Sequence, residues 1–343
     1  MKIVHILNTG KFSGAENVAI QIIESLEKEK DMHFIYMSLN GSIQNILNQK
    51  NIESYLVNKI TIQTIKKMIQ EIEPDILHCH DYTTSVLASL ATKKRIISHL
   101  HNNSPWIKKG GIYSVTYLLS SLKYSDILLV SESIEKEYIY AKLISKKTQI
   151  IGNPIDIELI EKKSKEKIVN KRYNIAFLGR LTKAKNPLLF VKIIKNLQKE
   201  IPSISACMIG DGEMVEEVKQ YICEKNLNDS IELVGFQDNP FPYLQNSQIL
   251  LATSSWEGYG LFAVEALALG KPVVCTNVGG LKEIINLSCG YVCREEKELS
   301  DRCKELLLNS ELYRDKSTGA LNRVKQIKNK EQYMETILNI YRK

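Results

Sequence analysis

Apolar residues in the first half of the chain cluster in short runs, at Lys2–Leu7, His33–Leu39, Ile76–His80, Arg95–Leu100 and Ile127–Ser131. Runs of this length, rich in Ile, Val and Leu, are the pattern of strands buried on both faces. Between them, Glu16–Leu26, Ile62–Ile72, Ser85–Ala91 and Glu132–Leu143 repeat apolar positions at helical spacing. Strand and helix in alternation predict a parallel sheet covered on both sides. The alternation lapses from Ile155 to Arg172 (IDIELIEKKSKEKIVNKR), which reads as a helix plus linker. It restarts with strands at Asn174–Leu178, Ser205–Ile209, Ile231–Val234, Ile249–Thr253 and Pro272–Thr276. The expected fold is therefore α/β, with two doubly wound, Rossmann-like domains facing each other across a cleft. In sheets of this kind ligands bind beyond the carboxyl ends of the strands. The chemistry should lie in the residues that follow each strand.

The expected domains are 1–153, 154–327, and a terminal helix at 328–343 that packs back on the first domain. A chain of 343 residues suits two domains, and 44% apolar with 25% charged residues excludes disorder. The seven cysteines are scattered without a CxxC pair, and no histidine follows His101, so a disulfide scaffold and a zinc ribbon are excluded. The apolar run at the N-terminus is too short for a signal peptide, and the longest uncharged run, Asn239–Trp256, is too polar to span a membrane. A cytoplasmic protein is expected.

The net charge of +7 matters chiefly through its placement. Between Asp81 and Asp126 there is no acidic residue, but there are Lys93, Lys94, Arg95, Lys108, Lys109 and Lys123, interleaved with Trp106, Tyr113, Tyr117 and Leu118–Leu119. Such a mixture suits the surface of an anionic membrane, with Lys108 and Lys109 as contacts. No binding-motif spacing accompanies it that would point to nucleic acid.

Ile249–Leu269 (ILLATSSWEGYGLFAVEALAL) reads as a buried strand, a glycine turn, and an apolar helix ended by Gly270. Backbone amides from Gly260 to Ala263 at the helix start form an anion site, and the glycines of the turn let a phosphate approach. Glu257 and Glu265 bracket this turn. Glu265 lies in an otherwise apolar helix, where a carboxylate could accept from the vicinal hydroxyls of a ribose or hexose. Cations to balance a diphosphate are available in Gly179-Arg180-Leu181-Thr182-Lys183-Ala184-Lys185-Asn186-Pro187. There Arg180 offers a planar fork and Lys185 a point charge.

With these residues together, the chain resembles the family 4 retaining glycosyltransferases. EGYGLFAVE is similar to that family's E-x7-E signature, and GRLTKAKNP to its diphosphate-binding GRL-x3-KN motif. Gly210-Asp211-Gly212 resembles its GDG turn, and Gly235-Phe236 its turn beside the nucleobase. Gly10-Lys11-Phe12-Ser13-Gly14-Ala15-Glu16 is like its GGAE loop, and Pro74-Asp75-Ile76-Leu77-His78-Cys79-His80 like its PDI-x-H-x-H strand. Asn153-Pro154-Ile155-Asp156 stands where NGVD usually opens the second domain. Two departures are Ser13 for the first glycine of the loop and Pro154 for the hinge glycine.

The resemblance implies the GT-B fold and retaining transfer from a nucleotide-diphosphate sugar, expected to be UDP-linked. Arg180 and Lys185, with the amides near Gly260 and Leu261, would neutralise the leaving diphosphate. Glu265 would take the ribose hydroxyls, Glu257 the sugar hydroxyls, and His101, in Ser98-His99-Leu100-His101-Asn102, would help bind the donor sugar. Gly14, Gly179, Gly210, Gly235, Phe236, Gly258 and Tyr259 would complete the nucleotide-sugar site. The histidines His78, His80 and His99 are expected to pack around His101, with no metal and no other cofactor. The acceptor is expected to be a polyprenyl-diphosphate-linked saccharide in bacterial surface polysaccharide (capsule) assembly, reached from the inner face of the membrane by a peripheral enzyme.

Other readings fit less of the sequence. A nicotinamide oxidoreductase would need G-x-G-x-x-G in the first loop, which GKFSGAEN lacks. A nucleotide-sugar 2-epimerase leaves GRL-x3-KN without a role, and a non-catalytic sugar-binding protein would not need all four of Arg180, Lys185, Glu257 and Glu265. A transferase acting on a soluble acceptor stays open.

Overall fold

The computed structural model describes residues 1–166, 169–327 and 329–343. The linker read across 155–172 and the terminal segment read from 328 include positions 167, 168 and 328, which lie outside the described residues. The chain forms two compact units, Met1–Pro154 together with Lys330–Lys343, and Ile155–Asn329.

In the first unit, strands β1 (Lys2–Ile6), β2 (His33–Leu39), β3 (Ser54–Val57), β4 (Ile76–Cys79), β5 (Arg95–Leu100), β6 (Tyr124–Leu129) and β7 (Thr148–Ile150) make one sheet. Its order is β3-β2-β1-β4-β5-β6-β7, with every pairing parallel. The order reverses between β1 and β4, the switch point at which open sheets of this kind bind ligands. Five strands were expected here; β3 and β7 are the additions. Both lie at sheet edges and are only partly buried, so neither needs a continuous apolar run. The helix expected over Glu132–Leu143 is two pieces, Glu132–Glu137 and Ala141–Ile144. Tyr138 turns extended at ψ 119°, and the Ile139 amide leaves the helix to donate to Ile107 O at 3.0 Å. A tertiary hydrogen bond overrides the local periodicity. The helix Ile112–Ser121, which periodicity did not single out, crosses beside the helix Tyr82–Ala91.

The terminal helix Lys330–Tyr341 packs against the helix Gly14–Leu26 within this unit. Arg95, on β5, closes its C-terminal end by donating to Tyr341 O at 2.9 Å and Ile340 O at 2.5 Å. A guanidinium at a helix C-terminus satisfies orphan carbonyls and favours the dipole.

The second unit holds β8 (Tyr173–Leu178), β9 (Ala206–Ile209), β10 (Ile231–Gly235), β11 (Ser247–Ala252), β12 (Val273–Thr276) and β13 (Gly290–Cys293). The order is β10-β9-β8-β11-β12-β13, again all parallel, with the reversal between β8 and β11. β13 is another short edge strand absent from the expected set. Two apolar cores, one on each side of this sheet, hold it. Among the described residues no helix is long and apolar enough to cross a membrane.

Candidate functional site

In the second unit, the loops after β8 and β11 meet at the switch point. Gly179 (φ +147°) ends β8, and Gly210 (φ +137°) ends β9 directly behind it. A Cβ on Gly210 would lie 2.0 Å from Gly179 O, so only glycine allows the two backbones to approach. The Leu181 amide donates to Asp211 O at 2.9 Å, which joins the Gly-Asp-Gly turn to the Arg180 loop. Thr253 Oγ1 lies 3.0 Å from the carbonyls of both Lys185 and Asn186, and the Ser255 amide donates to Ala184 O at 2.8 Å. Asn186 (φ +48°) then turns the chain into the helix Pro187–Gln198. These bonds set Arg180 and Lys185 beside the glycine turn.

That turn leads into the helix Leu261–Ala268, whose first residue follows Gly260 at φ +99°. A Cβ there would come within 2.7 Å of Leu281 Cδ2. Among the described residues the amides of Gly260, Leu261 and Phe262 have no acceptor. The Ala263 amide, expected to be open too, donates to Gly260 O at 2.9 Å in a tight first turn. Three aligned amides at a helix N-terminus remain for an anion.

Lys185 Nζ is ion-paired with Glu257, both side chains being under 20% exposed, and stands 3.9 Å over the ring of Phe262. Phe262 is a contact that the motif did not flag. Arg180, by contrast, is exposed and its guanidinium has no partner among the described residues. Glu265 is half-buried and accepts no hydrogen bond among the described residues; burial pushes its carboxyl up to about 7, against the pull of Lys185. A desolvated carboxyl left without donors has unmet hydrogen-bonding capacity. Tyr259 is half-buried with its phenol pushed up to about 12 by burial, and the Gly258 carbonyl accepts from the Gly280 amide at 3.1 Å. Gly235 (φ +75°) has open space where a Cβ would stand, and Phe236 beside it is 57% exposed, an apolar face free for a flat ring. Arg180, Lys185, Gly179, Gly210, Glu257, Gly258, Tyr259, Gly260, Leu261 and Glu265 thus belong to neighbouring loops of one unit, and Gly235-Phe236 ends the adjoining strand β10.

Gly14, Lys108, Lys109 and His101 belong to the first unit. Gly14 opens the helix Gly14–Leu26 at the switch point after β1, with nothing within 4 Å of where its Cβ would be. His101 follows β5, half-buried, beside His99 with ring centroids 3.9 Å apart. Register places His5 opposite His78 and His78 opposite Ile97, so alternation brings His5, His78, His80, His99 and His101 to one face of the sheet. Burial pulls the imidazoles of His5 and His101 down to about 3 and those of His78, His80 and His99 well below the usual histidine range. All five are neutral at ordinary pH. Two triads, His5–His78–His80 and His80–His99–His101, have ring nitrogens within 4.8 Å of one another.

The basic interval needs correction. Lys108 pairs with Glu137 at 3.2 Å, and Arg95 is occupied by Asp126 at 3.3 Å and by the terminal helix. Tyr117 is fully buried, its hydroxyl bonded to Ser98 at 2.7 Å. Acids distant in sequence therefore neutralise part of the patch. Lys93, Lys94, Lys109 and Lys123 remain exposed, and around them Leu90, Ile112, Tyr113, Leu119 and Leu122 stand more than half exposed.

The family described as "Glycosyl transferases group 1" matches residues 159–323, and "Glycosyltransferase Family 4" matches residues 12–159. An uncharacterized glycosyltransferase of Methanocaldococcus jannaschii is 28% identical over 78% of this chain and 73% of its own. The UDP-Gal:alpha-D-GlcNAc-diphosphoundecaprenol alpha-1,3-galactosyltransferase of Escherichia coli is 24% identical over 99% of this chain and 98% of its own. Among solved structures, Anabaena HepE in complex with UDP and glucose superposes with a TM-score of 0.86 at 20% identity, covering 99% of both chains. The paired family matches span the same motifs that build the switch-point site, and the chain belongs to the family 4 glycosyltransferases and has the GT-B fold.

Proposed function

We propose that the enzyme transfers a sugar, with retention, from a UDP-sugar to a polyprenyl-diphosphate-linked saccharide in surface polysaccharide assembly. The observation that carries the donor half is the meeting of three open helix amides, an unpartnered Arg180 and an unbonded Glu265 on adjacent loops. The amides and Arg180 take the diphosphate, whose developing charge is the main target of stabilisation. Lys185 shares its proton donors between Glu257 and a phosphate oxygen. Glu265 receives the ribose hydroxyls, Glu257 the sugar hydroxyls, and Phe236 lies against the base. Gly14 leaves its loop open beside the donor, and His101 contacts the sugar. The leaving phosphate helps deprotonate the acceptor hydroxyl, so no carboxylate nucleophile and no divalent metal is required. Full transfer in excess chelator is the expected result; loss of activity restored by one added metal would refute the metal-free assignment.

The acceptor half is supported by relatives in Escherichia coli and Campylobacter jejuni whose names specify diphospho-undecaprenol acceptors, and by the exposed apolar and basic face of the first unit. Apolar Ile112, Leu119 and Leu122 enter the lipid interface, while Lys109 and Lys123 meet anionic headgroups. Incubation with a panel of nucleotide sugars, scoring nucleoside diphosphate release with and without lipid-linked acceptor, tests the reading. Release only with UDP-sugars, and faster with lipid acceptor, is expected. Release that is indifferent to lipid acceptor but stimulated by a soluble one would move the enzyme to that class. Sedimentation with anionic vesicles should weaken for Lys108→Glu with Lys109→Glu; equal sedimentation of the parent and the variant would remove the membrane from the proposal.

A further inference from the structure

The buried histidines of the first unit are joined end to end. His101 Nε2 lies 3.0 Å from His80 Nδ1, and His80 Nε2 lies 2.8 Å from His5 Nδ1. His5 Nε2 is 3.3 Å from the Tyr341 hydroxyl, which is 2.7 Å from His78 Nδ1; His78 Nε2 is 3.2 Å from His99 Nδ1. Two ring nitrogens are left over, His101 Nδ1 and His99 Nε2, and both are buried without a partner. Neighbouring rings lie nearly parallel, for example 16° between His78 and His80. Every link runs from the Nδ1 of one ring to the Nε2 of the next, with the Tyr341 hydroxyl standing between His5 and His78.

Neutral imidazole carries one N–H and one lone pair. In such a row, placing the proton on one ring dictates the next. Three arrangements bond every link: all five rings protonated on Nε2, all five on Nδ1, or His101, His80 and His5 on Nε2 with His78 and His99 on Nδ1. In the third the Tyr341 oxygen accepts from both sides, and its own O–H is left without an acceptor at a fully buried site. The first leaves an N–H with no acceptor at His99, which is fully buried. The second moves the leftover N–H to His101, the half-buried end, and leaves His99 only an unused lone pair. Each of these two leaves one N–H without an acceptor, but only His101, half-buried beyond the carboxyl end of β5, lies where a bound group can supply one, so the second arrangement wins.

We propose that the row is locked in the common Nδ1–H tautomer, which makes His101 Nδ1 a hydrogen-bond donor and makes Tyr341 a positioning residue. In that arrangement the Tyr341 hydroxyl donates to His5 Nε2, His5 Nδ1–H to His80 Nε2, and His80 Nδ1–H to His101 Nε2. The partner for His101 is then an acceptor oxygen, either a sugar hydroxyl accepting through its lone pair or a phosphate oxygen. This rests on the reading of His101 as a donor-sugar contact only for its consequence in transfer; the tautomers themselves do not depend on it. The row is a positioning device and no proton exit, because His99 closes it.

The test is nitrogen NMR on the full chain labelled with 15N in its histidines, with two-bond couplings assigning each ring's tautomer. Five buried rings all protonated on Nδ1 are expected. Any Nε2–H ring among the five, or a stoichiometric metal found by elemental analysis, would overturn the proposal. Tyr341→Phe keeps the ring and removes the hydroxyl, so both tautomers should appear at His5, His80 and His101; a folded variant with all three still purely Nδ1–H would remove Tyr341 from the device. A purely structural role for Tyr341 would lower stability without moving these signals. Failure of every nucleotide sugar in the transfer assay would sink the proposed function and leave the tautomer result standing.

Discussion

Acidification should weaken the first unit and strengthen the second. His5 and His101 are held near 3 in the folded state against 6.5 unfolded. As pH falls below about 6.5 the unfolded chain takes up protons that the folded one refuses, so stability is lost. Between about pH 7.5 and pH 5 each of these two costs about 2 kcal/mol, together about 4 kcal/mol. His78, His80 and His99 act in the same direction, and Asp81, raised by burial, opposes them. Losses on that scale consume much of a typical 5–15 kcal/mol. The second unit has no histidine, and its Glu265 is raised to about 7. A raised carboxyl keeps its proton in the folded state, so the same acidification adds about 2 kcal/mol there. Glu232, lowered by Lys171, works against this, but its side chain is 42% exposed and the pair is screened. The two tryptophans, Trp106 and Trp256, fall one in each unit. Trp256→Phe and Trp106→Phe therefore give one reporter per unit for urea unfolding. At a slope of about 2 kcal/mol per molar, the Trp106 midpoint should fall by about 2 M and the Trp256 midpoint rise by about 1 M. A Trp106 midpoint unchanged at pH 5 would mean that the imidazoles are hydrated and titrate in the folded protein, whereas midpoints that move together would mean that both reporters follow one unfolding step.

Arg180→Ala should leave urea stability unchanged, since the side chain is exposed and unpartnered, and lower kcat/KM by roughly 1.5–3 kcal/mol, about 10- to 150-fold. Parent-like kcat/KM would take Arg180 off the diphosphate. Gly210→Ala should lower the unfolding free energy reported by Trp256 by roughly 1–3 kcal/mol, the cost of a strained backbone, because its Cβ meets Gly179 O, whereas Gly14→Ala should cost little, having open space. Ile112→Ser with Leu119→Ser should weaken vesicle binding at high salt, where the lysine contribution is screened; each fully buried aliphatic side chain is worth roughly 1.5–3 kcal/mol.

The strands buried on both faces were legible because burial on both sides forces a continuous apolar run. β3, β7 and β13 were not, because edge strands with partial burial carry no such constraint. The break at Tyr138 depends on Ile107, some thirty residues upstream, and no local pattern encodes it. Around the glycine turn the sequence named the loops and their charges, since each glycine and cation sits in a compact motif. It did not reveal that Lys185 rests on Phe262, or that Gly260 O takes the Ala263 amide, because those depend on side-chain direction and turn geometry. The acid-free interval was real in the sequence and only partly real in space, where Glu137 and Asp126 return to it. Likewise the paired histidines were visible, but Tyr341, 336 positions from His5, was not.

The clamp of Arg95 on the terminal helix has a consequence for synthesis. Chains emerge from the ribosome N-terminus first, and domains ordinarily fold in that order. Here the first 154 residues form their sheet with the polar row of β1, β4 and β5 lacking Tyr341, and Arg95 lacking the carbonyls it binds. Both arrive only after the whole second unit has been made. The first unit is thus completed only after the second has been made, and the nascent enzyme holds an incomplete histidine row until the helix Lys330–Tyr341 is released.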